Sequence, residues 1–374
     1  MKLGWVLVLA GLVVGVPEAW GQQPPETHPA SSNRDIVMSW NRSAMPREVE
    51  LIPRRTVLAY EATGTLGYGR AFFTCNSSTN SSEGKCPTED TGEEATSKLS
   101  IVQVLFTETR SSMSVDVAVQ GSLLRAHATQ RCYSDYWESD PYPLSSSVAA
   151  DCSFQPATGT GAQLHIPEAK IQRLVAGHWK GKLLLTLRKG NGQELAVQEF
   201  NFDFTITDHN AVSIYFPQYE SATPLVNLDA RFDPIQQTIG GRVVVDMCLY
   251  DGLGSQASFL GVTARHTSAR APGPTGFALW HETPGNADSQ RLDYKVTLKH
   301  SGADVPLANG AETELQGIDS ARLRLVLLPG MSQPVFCVPT PMTLDMPLVP
   351  VSEKQSGVYW GDLKIELRVP TASP

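Results

Sequence analysis

The sequence predicts an all-β protein of two tandem sandwich domains, exported and stapled by disulfides. Three observations predict it. Apolar residues recur at every second position through several segments, clusters of Gly, Pro, Asn and Ser separate those segments, and six cysteines follow an apolar N-terminal run. Alternation of period two marks half-buried strands, and short strands divided by turn residues suit sandwiches.

In Glu199 to Thr207, Phe200, Phe202, Phe204 and Ile206 face one way, while Asn201, Asp203, Thr205 and Thr207 face the other. Val115, Val117 and Val119 alternate with Asp116, Ala118 and Gln120. Near the end, Leu363, Ile365, Leu367 and Val369 alternate with Asp362, Lys364, Glu366 and Arg368. One helix of about two turns is expected over Ile166–Leu174, with Pro167 at its first position and Gly177 beyond its end. Thr158-Gly159-Thr160-Gly161 has no helix after it to hold a phosphate and reads as a turn.

Met1-Lys2, the apolar run Trp5 to Val16 and the small residues Ala19 and Gly21 make residues 1–21 a secretory signal peptide. About a dozen apolar residues fall short of the roughly 20 that cross a bilayer. The mature chain, about 350 residues, has room for two domains. Formal net charge is −8, so nucleic acid is a poor partner, and any anionic ligand must meet a local basic cluster.

Behind a signal peptide, Cys75, Cys86, Cys132, Cys152, Cys248 and Cys337 read as structural disulfides. Fifteen pairings are possible. Proximity favours Cys75–Cys86 and Cys132–Cys152 as local staples and leaves Cys248–Cys337 as a long-range bridge. A zinc site would need CxxC or HxxxH spacing, and neither occurs. The boundary is expected near Asp208-His209-Asn210, between the Phe200–Thr207 strand and a fresh run from Val212, giving domains of 22–208 and 209–374. No bridge of that set crosses it, and so short a linker implies a fairly rigid end-to-end arrangement.

Catalytic signatures are missing. There is no GxSxG elbow and no GxxxxGK[ST] loop, and the eight histidines are scattered. No enzyme activity and no cofactor or metal is expected.

Val245-Asp246-Met247-Cys248-Leu249-Tyr250-Asp251-Gly252 resembles the cysteine strand of the pilin domain in class 5 fimbrial tip adhesins of the alternate chaperone–usher pathway, the colonization-factor and CblD-like group. Pro334-Val335-Phe336-Cys337 resembles the partner segment, and Gly357-Val358-Tyr359-Trp360-Gly361 the approach to the terminal strand. Ala71 to Cys75, Cys86-Pro87, Phe106 to Ser111, Ile166-Pro167 through Trp179, and Ile214 to Tyr219 match in order.

The resemblance implies an adhesin domain followed by a pilin domain, each an immunoglobulin-like sandwich. The second would be incomplete and finished by donor-strand complementation. Implied partners are a periplasmic chaperone and outer-membrane usher during assembly, the major pilin as strand donor, and a host glycan or glycoprotein receptor. The implied location is the fimbrial tip at the cell surface, reached through the periplasm. The resemblance also ties a basic patch on the first domain to receptor binding. Arg70 matches the arginine before the first cysteine, and Arg188-Lys189 the later cluster, although Gly190 stands where the family example has arginine. An anionic glycan, such as a sialylated one, is the expected ligand, and Arg54-Arg55 is a second, weaker basic pair. The alternatives are a minor structural pilin without adhesive role and a secreted carbohydrate-active β-sandwich enzyme.

Overall fold

The computed structural model describes residues 23–92, 98–130, 135–149 and 155–370. The expected signal peptide and the expected Cys132–Cys152 bridge lie outside these residues.

Among the described residues the first half holds eight strands: β1 (Ser32–Asn41), β2 (Glu48–Tyr60), β3 (Phe72–Thr74), β4 (Ser100–Glu108), β5 (Ser114–Ala126), β6 (Gly159–Pro167), β7 (Gly177–Arg188) and β8 (Glu194–Thr207). They hydrogen-bond in the order β1-β8-β7-β4-β5-β6-β2, with β3 added on β7. β1 runs parallel to β8, and the other pairings are antiparallel. Both ends of this sheet contribute to one core. Val49, Ile52, Val117, Val119, Leu123 and Leu164 from one end pack in the same cluster as Trp40, Trp179, Leu185, Phe200 and Phe204 from the other. The sheet therefore folds over on itself as a sandwich.

The alternating phenylalanines of β8 supply the centre. Phe204 stacks on Phe106 at 5.4 Å and meets the Trp40 ring edge-on at 5.1 Å, arrangements that add to area burial. β2 bends through register shifts between Glu50 and Ala59, where Arg55 takes φ 64° and its guanidinium pairs with Asp135 at 2.7 Å.

Two local expectations are corrected. The helix is one turn, α1 (Glu168–Ile171), because Pro167 is still the last residue of β6 and sits at the N-cap instead of inside the helix. Thr158-Gly159-Thr160-Gly161 is not a turn, since β6 begins at Gly159. Its glycines are there for close packing. A Cβ on Gly161 would lie 2.6 Å from the Trp137 ring, and one on Gly159 2.4 Å from that of Tyr60.

After a 3-10 turn at His209–Ala211, the second half contains β9 (Ser213–Tyr215), β10 (Arg231–Asp233), β11 (Thr238–Val245), β12 (Cys248–Tyr250), β13 (Phe259–His266), β14 (Phe277–His281), β15 (Arg291–His300), β16 (Ala303–Leu307), β17 (Glu312–Gln316), β18 (Arg324–Val326), β19 (Val335–Pro339), β20 (Met342–Pro350), β21 (Tyr359–Trp360) and β22 (Leu363–Arg368). One sheet has the order β10-β11-β20-β15-β14-β21, with β16 on β15; the others are β18-β19-β12-β9 and β17-β13-β22. Leu260, Val262 and Ala264 of β13 share a core with Val296, Leu298 and Leu344 of the larger sheet. The chain is thus two β-sandwiches in tandem.

Cys248 and Cys337 are bonded across β12 and β19, with Cα atoms 5.8 Å apart. The same strands reach the first half: Cys248, Tyr250, Val326, Val335 and Cys337 belong to its core cluster. Polar contacts reinforce this joint. Buried Glu108 accepts hydrogen bonds from the backbone of Arg110, Ser111 and His178 and from the Gln256 side-chain amide at 2.9 Å. Arg110 donates across the joint to the carbonyls of Ile318 and Ala321. Burial pushes the Tyr250 phenol well above its ordinary pKa, with Asp251 and Asp208 adding to the effect.

Replacing both Cys248 and Cys337 by alanine is expected to lower the unfolding free energy by about 4 kcal/mol, because the bridge closes an 89-residue separation. Urea titration of the oxidised chain against this variant measures the loss.

Candidate functional sites, a basic patch and an apolar groove

Strand pairing decides where the predicted basic residues meet. In the β3–β7 ladder Phe72 lies opposite Arg188 and Thr74 opposite Thr186. Arg70 ends the 3-10 turn Tyr68–Arg70 that leads into β3, and Gly67 at φ 68° makes the sharp entry to that turn. Arg188 is the last residue of β7. Lys189 then opens a turn to β8 closed by Lys189 N–H donating to Gln193 O and Gly192 N–H donating to Lys189 O, each at 2.8 Å. A Cβ on Gly190 would stand 3.3 Å from the Arg70 Cβ. The Arg70 stem therefore lies directly over the turn, and Arg70, Arg188 and Lys189 come together from segments more than a hundred residues apart.

The charges differ in how far they are committed. Arg188 donates from Nε to Thr74 Oγ1 at 3.1 Å and from Nη1 to Gly192 O at 3.2 Å, with Glu194 at 3.8 Å. Arg70 is exposed and Lys189 half-buried. The Cys75–Cys86 bridge, with Cα atoms 5.3 Å apart, follows β3 immediately. Its loop is tied to β4 by Lys85 N–H donating to Gln103 O at 2.7 Å.

Sequence reasoning missed the layer beneath. Arg125 of β5 is wholly buried. Its Nη1 donates to Ala71 O at 2.6 Å and to Thr160 Oγ1 at 2.7 Å, its Nη2 to Ser146 O at 2.7 Å, and its Nε to Val148 O at 3.0 Å. Burial lowers its pKa to about 10, against the pull of Glu138 and Tyr142, so it stays a cation at neutral pH. The one sequence signal was a charge within an apolar stretch, Leu123-Leu124-Arg125-Ala126.

The second half carries an apolar groove of about 1740 Å³. Leu292, Tyr294, Met342 and Leu344 line it, as do Leu363, Ile365 and Leu367 of β22. Residues 222–228, which lie outside regular structure, also line it, and Leu225 there is 96% exposed. Among the described residues β22 pairs with β13 alone, so its second edge has backbone donors and acceptors free of any strand. Its alternating apolar side chains are only half-buried. Burial raises the Tyr294 phenol to about 12, which keeps it neutral.

The first sandwich thus presents a cluster of basic residues and the second an open strand edge beside an apolar groove. The family model for the first domain of CfaE, the E subunit of CFA/I fimbriae, matches residues 17–209, and the one for its second domain matches residues 212–371. The chain belongs to this CfaE family. A curated relative, the CFA/I fimbrial E subunit of Escherichia coli, is 27% identical over 309 residues, covering 80% of each chain. The crystal structure of CfaE, described as the adhesive subunit of CFA/I fimbria of enterotoxigenic Escherichia coli, aligns over 93% of this chain and 95% of its own, with TM-score 0.69 and 24% identity. A chaperone–tip adhesin complex concerned with CFA/I fimbriae biogenesis aligns over 94% and 99%, with TM-score 0.68 and 24% identity.

Gly69 decides how closely the Arg70 turn sits on the sheet, since a Cβ there would fall 1.8 Å from Ala157 O. Gly69→Ala is expected to cost about 3 kcal/mol through backbone displacement, read as a lowered unfolding midpoint of the full chain.

Proposed function

We propose that this chain is a fimbrial tip adhesin whose first domain, residues 22–208, binds an anionic host-surface glycan through Arg70, Arg188 and Lys189. Its second domain, 209–374, receives a donor strand from the major pilin. The observation that carries this reading is the one-sided β22 beside the groove. A strand laid there would gain main-chain hydrogen bonds along one edge and bury alternate side chains between Leu363, Ile365 and the groove floor, which is β-augmentation. Six residues of β22 offer an edge of about 20 Å. A relative solved as a chaperone–tip adhesin complex supports a periplasmic chaperone as the first occupant, with an usher and the major pilin following. The site of action is then the fimbrial tip at the cell surface, reached through the periplasm.

The patch suits a carboxylate. A guanidinium offers two parallel donors to a carboxylate, and Lys189 adds a point charge. In a chain of net charge −8 such a local cluster has to supply the attraction itself. The relatives are fimbrial proteins, which favours binding over glycan hydrolysis.

Synthetic peptides copying the N-terminal segments of the neighbouring pilins test the groove. The matching peptide is expected to stabilise the full chain by about 2.7 kcal/mol at a hundredfold excess over Kd, and Ile365→Asp to abolish the shift. A chain whose melting no such peptide alters is not a strand acceptor. For the patch, Arg70→Ala and Arg188→Ala are each expected to weaken erythrocyte binding by about tenfold, the loss of one charge-assisted contact. Undiminished binding by both folded variants removes the patch from receptor recognition.

A further inference from the structure

A cation is buried behind the patch, and its bonds go to the peptide groups that carry Arg70. Arg125 Nη1 holds Ala71 O, the carbonyl that follows Arg70. The same nitrogen donates to Thr160 Oγ1, and the Thr160 hydroxyl in turn donates to Tyr68 O at 2.7 Å, two residues before Arg70. Between these anchors Gly69 presses against Ala157 O, and beyond them Phe73 N–H donates to Leu144 O at 2.7 Å. The other arm of the guanidinium holds the facing loop at Ser146 and Val148.

Burying an arginine is costly unless its donors are met. Here four of its five N–H donors are met, all by neutral oxygens, and among the described residues no carboxylate bonds to it. An apolar side chain would fill the space without that cost but could not grip Ala71 and Thr160 together. Arg70 and Arg125 also repel each other, the Arg70 charge helping to lower the Arg125 pKa. An anion arriving at Arg70 relieves that repulsion.

We propose that Arg125, relayed by Thr160, is the positioning residue of the basic patch: it fixes the backbone on both sides of Arg70 and places a second cation behind it. This rests on the reading of the patch as the receptor site. Arg125 does not itself touch the ligand.

The test uses the full chain with Arg125→Lys, which keeps the charge but not the fork, and with Thr160→Val, which cuts only the relay and keeps the test alive should the first fail to fold. In both, amide hydrogen exchange over residues 68–73 is expected to quicken by about tenfold while β8 is unchanged. Erythrocyte binding is expected to fall with it, and in an Arg70→Ala background neither substitution weakens binding further. Unaltered exchange at residues 68–73 overturns the proposal whatever the chain binds. A further loss of binding in the Arg70→Ala background overturns it too, since Arg125 would then act by another route. Faster exchange in a chain whose binding survives Arg70→Ala upholds the anchoring and removes the patch from receptor recognition instead.

Discussion

The twelve-residue β7 pairs with three neighbours at once: β8 along nearly its whole length, β4 near its beginning and β3 at its end. Its two ends serve different parts of the molecule. Gly177, at one end, packs against the Glu108 side chain, and a Cβ on Gly254 from the second half would touch its Cα at 2.8 Å. Arg188, at the other, stands in the basic patch. At about 3.3 Å per residue, one strand spans roughly 40 Å from the joint to the patch. The apolar face of β7, with Trp179, Leu183, Leu185 and Leu187 all buried, holds that span in place.

The two halves solve the edge problem of β-structure differently. In the first, β3 is laid over the end of β7 and the sheet turns back on a shared core of aromatic side chains. In the second, β22 has one partner among the described residues, and its apolar side chains are half-exposed. Unpaired strand edges beside apolar surface invite association. On the proposed assembly the second half depends on a partner in a way the first does not, while the Cys248–Cys337 bridge limits how far its chain can expand.

The strands were legible because alternation is local. Phe200 to Ile206 and Leu363 to Leu367 declare their faces without reference to the rest of the chain. What failed to read was set by contacts from afar. Gly159 and Gly161 look like turn residues until the rings of Tyr60 and Trp137 are placed against them, and Pro167 looks like a helix start until β6 is seen to run through it. Arg70 and Arg188 could be paired only through a family resemblance, since nothing in their own neighbourhoods announces the β3–β7 ladder. Arg125 was harder still, because each hydrogen-bond acceptor of its guanidinium is a carbonyl or hydroxyl more than twenty residues away.

The opening stretch of the described chain is already spoken for. Thr27 exchanges backbone hydrogen bonds with Tyr60 at 2.9 and 2.8 Å, and Ser32–Asn41 lies in β1 beside β8. These residues cannot leave to complete a neighbour without unpicking their own sheet. On the proposed assembly the chain takes a strand at β22 while β1 stays in its own sheet, and that asymmetry gives polymerisation a direction.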